Sequence, residues 1–245
     1  MLATGVKMKL TVVIPTYNEE RIISKTIETV LDRLRHLPYD AELIISDDAS
    51  KDRTVEIVKD LMQKYGKLRL LSHENNRGRG EVVSDAFLKS NSDVLMFMDA
   101  DLSTDLKHIP EMIEYMKSYD IAIGSRWIKG SSSYRSKFRL FTSFLFNLMV
   151  RLLFSTEIHD HECGFKAFRR DVAHKLVQEA RILEKNTRGV AWDTEILVRA
   201  RRNDYRIKEF PVVWKEGEKS EIRILHEGIK SMKYFIRLRL SLWKD

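Results

Sequence analysis

The stretch LMFMDADLSTD, residues 95–105, runs four large apolar residues straight into a segment holding three acids, Asp99, Asp101 and Asp105. Leu95 to Met98 read as the end of a buried strand. Carboxylates set side by side raise the cost of ionising one another, so the pattern calls for a cation. Asp99 and Asp101 form a D-x-D pair whose side chains, at period two, leave the chain in the same direction. One divalent ion can be held by either or both together with the oxygens of a diphosphate. Mg²⁺ and Mn²⁺ suit such a site because they favour oxygen ligands and leave positions open for phosphate.

Outward from this point, the first half alternates short apolar runs with segments of helical period. LTVVIP (10–15), AELIIS (41–46), LRLLS (68–72), DVLMFM (93–98) and DIAIG (120–124) read as strands. Ile23, Ile27, Val30, Leu31 and Leu34 give the three- and four-residue spacing of an amphipathic helix between the first two. This rhythm predicts an α/β fold with a mostly parallel central sheet covered by helices on both faces. Ligands of such sheets bind beyond the carboxyl ends of the strands. There the chain places PTYNEE, DDASKD, ENNRGRG, DADLS and GSR, so five strand ends converge on one site.

With 245 residues, 43% of them hydrophobic, the chain can bury one full core and has little room for a second large domain. The single cysteine, Cys163, excludes an internal disulfide and fits a reducing compartment. MLATGVKMKL has no apolar stretch long enough for a secretory signal, so a cytoplasmic location is expected. A net charge of +7 points to an anionic partner: nucleic acid, a phosphorylated small molecule or a lipid surface.

The second half differs in character. FRLFTSFLFNLMVRLLF (138–154) has only eleven uncharged residues between Arg139 and Arg151, short of the roughly 20 that a membrane span needs. IRILHEGIKSMKYFIRLRLSLW (222–243) mixes Ile, Leu, Phe and Trp with Lys and Arg at helical spacing, as a helix lying in a membrane interface does. Both can equally be helices docked on the domain's own core. Two cationic, aromatic-bearing segments in one basic chain favour a membrane surface. The expected organisation is a catalytic domain over 1–215, with 138–154 as an amphipathic helix on the acceptor side, and a membrane-surface helix over 216–245.

Other motifs are more ambiguous. Asp47 and Asp48, followed by Ser50 and Asp52, can cap the next helix, or one carboxylate can accept from a nucleobase N–H. Arg77 to Gly80 resemble a phosphate loop but lack both the P-loop and the dinucleotide spacing, which weighs against NTPase and dehydrogenase readings. HDHEC (159–163) invites zinc, yet alternate residues of one strand rarely supply three corners of a tetrahedron. Arg126, Lys129, Arg135, Lys137 and Arg139 form either a solvated loop or a clamp on phosphates.

In order, VVIPTYNEE, IISDDASKDRT, NNRGRGEVVSDAF, MDADLS, IGSR, ECGFKAFRRDV and WDTEIL resemble the glycosyltransferase family 2 enzymes, and within them the polyprenyl-phosphate sugar synthases. ECGFKAF and FIRLRL look most like the dolichyl-phosphate glucose synthases. The resemblance implies the A-type glycosyltransferase (Rossmann-like) fold and a nucleotide-sugar donor. By it, Pro15, Tyr17 and Glu19 line the nucleoside pocket with Asp47 or Asp48 on the base. Asp99 and Asp101 hold Mg²⁺ or Mn²⁺. Arg77 is a further substrate contact, Arg126 sits near the phosphates or the acceptor, and Asp193 and Glu195 match an acidic pair on the acceptor side. The set expected to touch the chemistry is Asp101, Arg126 and Asp193. Ser103 stands where mannose synthases of this group often carry Gln, which weakens the case for mannose.

The expected reaction is inverting transfer of a hexose, foremost glucose from UDP-glucose, to dolichyl or polyprenyl phosphate for protein glycosylation. The lipid phosphate is already anionic and needs no general base. Its headgroup would be held by Arg126, Arg135 or Arg139, with the protein peripheral on the cytoplasmic face of a membrane. Alternatives are GDP-mannose as donor, a saccharide as acceptor, or a non-catalytic membrane-surface nucleotide-binding module. No recognised motif supports nucleic-acid binding.

Overall fold

Strands and helices alternate through the first half of the computed structural model, which describes residues 7–180, 191–216 and 224–242. In chain order the elements begin β1 (Lys9–Thr16), α1 (Ile23–Arg35), β2 (Asp40–Asp47), α2 (Thr54–Lys64), β3 (Leu68–Ser72), α3 (Arg79–Leu88), β4 (Val94–Met98), α4 (Ile109–Tyr115) and β5 (Ile121–Ser125). They continue with β6 (Ser132–Tyr134), α5 (Lys137–Phe154), β7 (Phe165–Arg169), α6 (Arg170–Ala180), α7 (Trp192–Arg202), β8 (Ile207–Pro211), β9 (Val213–Lys215) and α8 (Ile224–Leu242). The five strands read from sequence all form, each within a residue or two of its expected bounds.

Seven strands make the main sheet in the order β3-β2-β1-β4-β7-β5-β8. All neighbours are parallel except β7, which runs antiparallel to both β4 and β5. That inversion brings the start of β7 to the edge where β1 through β5 end. β7 was not legible as a strand because FKAFR carries Lys166 at its centre, 1% exposed among aromatic neighbours. A second sheet of two short parallel strands pairs β6 with β9.

One core lies between the sheet and α1, α2 and α4, where Ile23, Ile27, Val30, Leu31 and Leu34 form the predicted apolar stripe. A second fills the opposite face under α3, α6 and α7. A third, smaller core joins α5, α7 and α8 through Val150, Val198, Phe235 and Leu238. The C-terminal segment therefore docks one face of its helix on the rest of the chain; the expected portions 217–223 and 243–245 lie outside the described residues. Among the described residues no helix is long and apolar enough to cross a membrane.

Candidate active site

Asp99 and Asp101 follow β4 at the C-terminal edge of the sheet, partly and fully exposed respectively. The D-x-D backbone is held from below: Asp99 N donates to Gly164 O at 3.2 Å, and Thr26 Oγ1 donates to Ala100 O at 2.7 Å. Ser103 N donates to Asp101 Oδ1 at 3.0 Å, closing a tight turn with Leu102 at φ 54°. Gly164 is required by proximity, since a Cβ there would overlap the Asp99 carboxylate, with even the farther oxygen at 2.5 Å.

A chain of alternating charge runs inward from this pair. Arg79 Nη1 donates to Asp99 Oδ1 at 3.0 Å, and its Nη2 pairs with Asp193. Asp193 accepts in turn from Lys166 Nζ at 2.9 Å. Burial pushes Lys166 down to about 8. Asp193 is itself 2% exposed, so its carboxylate is committed to two cations. The sequence reading chose Arg77; the structure turns Arg77 onto Asp85 and Glu81 of its own helix and directs Arg79 to the D-x-D instead. Gly78, at φ 92°, makes the turn that separates them.

On the nucleoside side, the loops after β1 and β2 are laced together. Asn18 N donates to Ser50 Oγ, Lys51 N to Asn18 Oδ1, and Glu19 N to Thr54 Oγ1. Pro15 lies opposite Ser46 near the end of β1, and Tyr17 is exposed. Asp47 accepts from Ser50 N and Oγ, the capping arrangement. Asp48 accepts from the amides of Arg77 at 2.6 Å and Gly78 at 2.9 Å. ENNRGRG therefore turns two amides onto this acid. Glu19 is pushed above the usual carboxylate range by burial and then by Asp101, Asp52 and Asp99. Such crowding of negative charge fits a divalent cation. Among the described residues no three metal-ligating groups come together, so the protein would supply part of a coordination shell and phosphate oxygens the rest.

On the other side of the D-x-D, β9 binds its turn: Lys215 N donates to Ser103 O at 2.8 Å and Asp105 N to Val213 O at 3.1 Å. Arg126 is not open to solvent. Its Nε and Nη2 donate to the two oxygens of Asp160 at 2.7 and 2.8 Å, with both side chains buried. Burial alone would lower the Arg126 pKa, but Asp160 holds it above the ordinary value. Arg139 pairs with Glu216. Arg135 lies between the rings of Trp127 and Trp214, each centroid 5.5 Å away. Glu195 accepts from Arg199 Nε at 2.7 Å and from Tyr234 of α8, tying the third core together rather than facing the D-x-D.

HDHEC divides its residues among different partners. His159 Nδ1 meets Glu209 at 2.9 Å and His161 meets Asn147, while burial pushes Cys163 up to about 12 and His161 down to about 3. Sequence reasoning missed Arg79, Asp160, Gly164, Lys166, Trp127 and Trp214. The first four stand inside quoted motifs, yet no spacing rule picks them out.

A parallel sheet ending in paired carboxylates, with one inverted strand before its fifth, is the A-type glycosyltransferase fold. Glucosyl-3-phosphoglycerate synthase of Mycobacterium tuberculosis, solved with UDP, superposes with a TM-score of 0.68 at 16% identity, covering 95% of this chain and 80% of that one. Mannosyltransferase PcManGT of Pyrobaculum calidifontis, solved with GDP-Man and Mn²⁺, gives 0.63 at 19% identity, covering 99% and 66%. The chain belongs to glycosyl transferase family 2, which it matches over residues 11–177. It is 36% identical over 229 residues to glycosyltransferase AglD of Haloferax volcanii, covering 92% of this chain and 36% of that protein, so the chain spans about a third of AglD. It is 30% identical to the dolichyl-phosphate beta-glucosyltransferase of Homo sapiens, covering 94% of this chain and 75% of that protein.

Proposed function

We propose that the protein transfers glucose from UDP-glucose to dolichyl or polyprenyl phosphate with inversion, giving a lipid-phosphate-linked sugar for protein glycosylation. One observation carries the reading. The D-x-D turn is bonded to β9, β9 pairs with β6, and β6 leads into α5, whose outer stripe of Phe138, Phe141, Leu145, Leu148 and Leu152 is exposed. A site for a soluble diphosphate thus adjoins an apolar surface fit for a lipid tail. The likeness to dolichyl-phosphate beta-glucosyltransferases over most of the chain supports the same acceptor and sugar.

Asp99 and Asp101 would hold Mg²⁺ or Mn²⁺, which when bound neutralises charge on the departing diphosphate. Glu19 adds to the negative potential that attracts the ion, and Arg79 fixes the rotamer of Asp99. Asp193, saturated by Lys166 and Arg79, is a positioning residue and not a base. None is needed, because the acceptor phosphate is anionic at neutral pH and attacks the anomeric carbon opposite the leaving group. Alignment of the two substrates is then the main catalytic contribution of the chain. Pro15, Tyr17 and the Asp47–Asp48 loop form the nucleoside side.

On α8, exposed Met232, Ile236 and Leu240 alternate with exposed Lys233, Arg237 and Arg239, as a helix at an anionic lipid surface requires. The test is nucleoside diphosphate release from a panel of UDP- and GDP-sugars, with and without Mn²⁺ or Mg²⁺ and a short polyprenyl phosphate. Release from UDP-glucose that needs both metal and lipid phosphate is expected. Release from GDP-mannose alone would move the reading to a mannose synthase. No turnover under any combination, with vesicle binding intact, would leave a non-catalytic binding module.

A further inference from the structure

Three arginines lie in the segment between β5 and the first turn of α5, and two are neutralised. The Nε–Nη2 edge of Arg126 is filled by both oxygens of Asp160, and Arg139 is paired with Glu216. The same Nε–Nη2 edge of Arg135 is buried without a hydrogen-bond partner among the described residues. Two other buried polar atoms nearby in the chain share that condition, Trp127 Nε1 and Ser133 Oγ. Buried donors are almost always satisfied, and an empty guanidinium fork is the most costly kind to leave open. Burial and the neighbouring Arg126 charge push Arg135 down to about 10, so the surroundings ask for an anion. The indoles of Trp127 and Trp214 hold the guanidinium from either side, which fixes its plane in advance.

We infer that Arg135, Trp127 and Ser133 form the seat of the acceptor's phosphate monoester, while Arg126 and Arg139 frame that seat without binding the phosphate. The inference rests on the lipid-phosphate reading above and assigns the headgroup to one of its three candidate arginines. A planar fork with two N–H groups matches two phosphate oxygens; the indole N–H and the hydroxyl can take the third. A lipid phosphate is favoured over a free one because Trp127 also packs against Phe144, 6.0 Å between centroids, and Phe144 is half exposed on the apolar side of α5. Headgroup seat and tail surface are continuous through one indole.

The test measures equilibrium binding of farnesyl phosphate, farnesol and inorganic phosphate to the full chain, together with separate KM values for donor and acceptor. Arg135→Gln should raise both the farnesyl phosphate Kd and the acceptor KM about 100-fold, and Trp127→Phe, which keeps a ring and loses the N–H, about 10-fold. Donor KM should stay at the wild-type value in both. Arg135→Lys keeps the charge without the fork and serves if the Gln variant fails to fold; it should still lose about 10-fold. Wild-type acceptor KM in folded Arg135→Lys and Trp127→Phe overturns the seat. Inorganic phosphate binding as tightly as farnesyl phosphate overturns the lipid assignment. If the wild type itself neither binds nor glycosylates farnesyl phosphate, the lipid-phosphate reading falls, an outcome separate from variants that match an active wild type.

Discussion

Gly164→Ala separates the position of the D-x-D from the stability of the fold. The new methyl group would stand 2.5 Å from the farther oxygen of Asp99 and closer to the nearer one. Ordinary contact needs about 3.5 Å, so the carboxylate must retreat by about 1 Å. Gly164 has no left-handed backbone to protect, since the positive-φ glycines among the described residues are Gly78 and Gly130. Alanine should therefore gain about 0.4–1 kcal/mol from the unfolded chain, offset by a weakened, partly exposed Asp99–Arg79 pair worth a similar amount. The midpoint of thermal unfolding should move by no more than about 4 °C. Displacement of a metal ligand by about 1 Å should lower turnover about 100-fold. Mn²⁺ affinity, read by electron paramagnetic resonance in the presence of UDP, should weaken in parallel with nucleoside diphosphate release. Full turnover and Mn²⁺ binding in a folded Gly164→Ala protein would refute the reasoning, and so would an activity loss explained by unfolding alone.

Arg79 competes with a cation for Asp99, so Arg79→Gln should tighten nucleotide-free Mn²⁺ binding several-fold by resonance titration; weaker binding would contradict the competition. Asp160→Asn leaves a buried guanidinium without its counter-charge and should cost about 3–5 kcal/mol in denaturant unfolding. His161, at about 3 against an ordinary 6.5, stays neutral in the fold while the unfolded chain binds a proton below about pH 6.5. Its contribution is thus lost as pH falls through that range, by up to about 1.4 kcal/mol per unit, and the stability difference between wild type and His161→Gln should narrow from pH 6.5 to 5 in urea titrations.

The five strands before residue 126 were legible because β-branched runs, helical spacing and turn residues agree there. Asp99 and Asp101 stood out because acids rarely follow so apolar a strand without a purpose. The inverted strand β7 was hidden by Lys166, whose charge reads as surface until Asp193, 27 residues away, is seen to meet it. The roles of Arg77 and Arg79 were exchanged for a similar reason. Two residues apart in one loop, they are told apart only by the turn at Gly78 and by what each guanidinium reaches. The apolar segment 138–154 was read as an amphipathic helix, and its helix is found at Lys137–Phe154. Which of its faces is covered depends on α7 and α8, elements distant in sequence.

The ion pairs around the site follow a pattern that bears on how two anionic substrates are brought together. Asp99, Arg79, Asp193 and Lys166 alternate in sign, and Arg126 with Asp160 forms a closed pair beside them. Two places remain unbalanced. At the D-x-D, Asp99 and Asp101 crowd Glu19 and have excess negative charge, which a divalent cation carrying a diphosphate would neutralise. At Arg135 a positive fork lacks its anion. Strand β9 joins them, bonded to the D-x-D turn through Lys215 and contributing Trp214 to the Arg135 stack. A nucleophilic phosphate drawn to the second place would be held apart from the donor diphosphate at the first, although both are anions. Pairing Arg126 internally then has a purpose: a second free guanidinium beside Arg135 would offer the diphosphate a competing site on the acceptor side. Glutamine at Arg135 and asparagine at Asp160 should consequently fail in different ways, the one in acceptor binding with the fold intact, the other in stability.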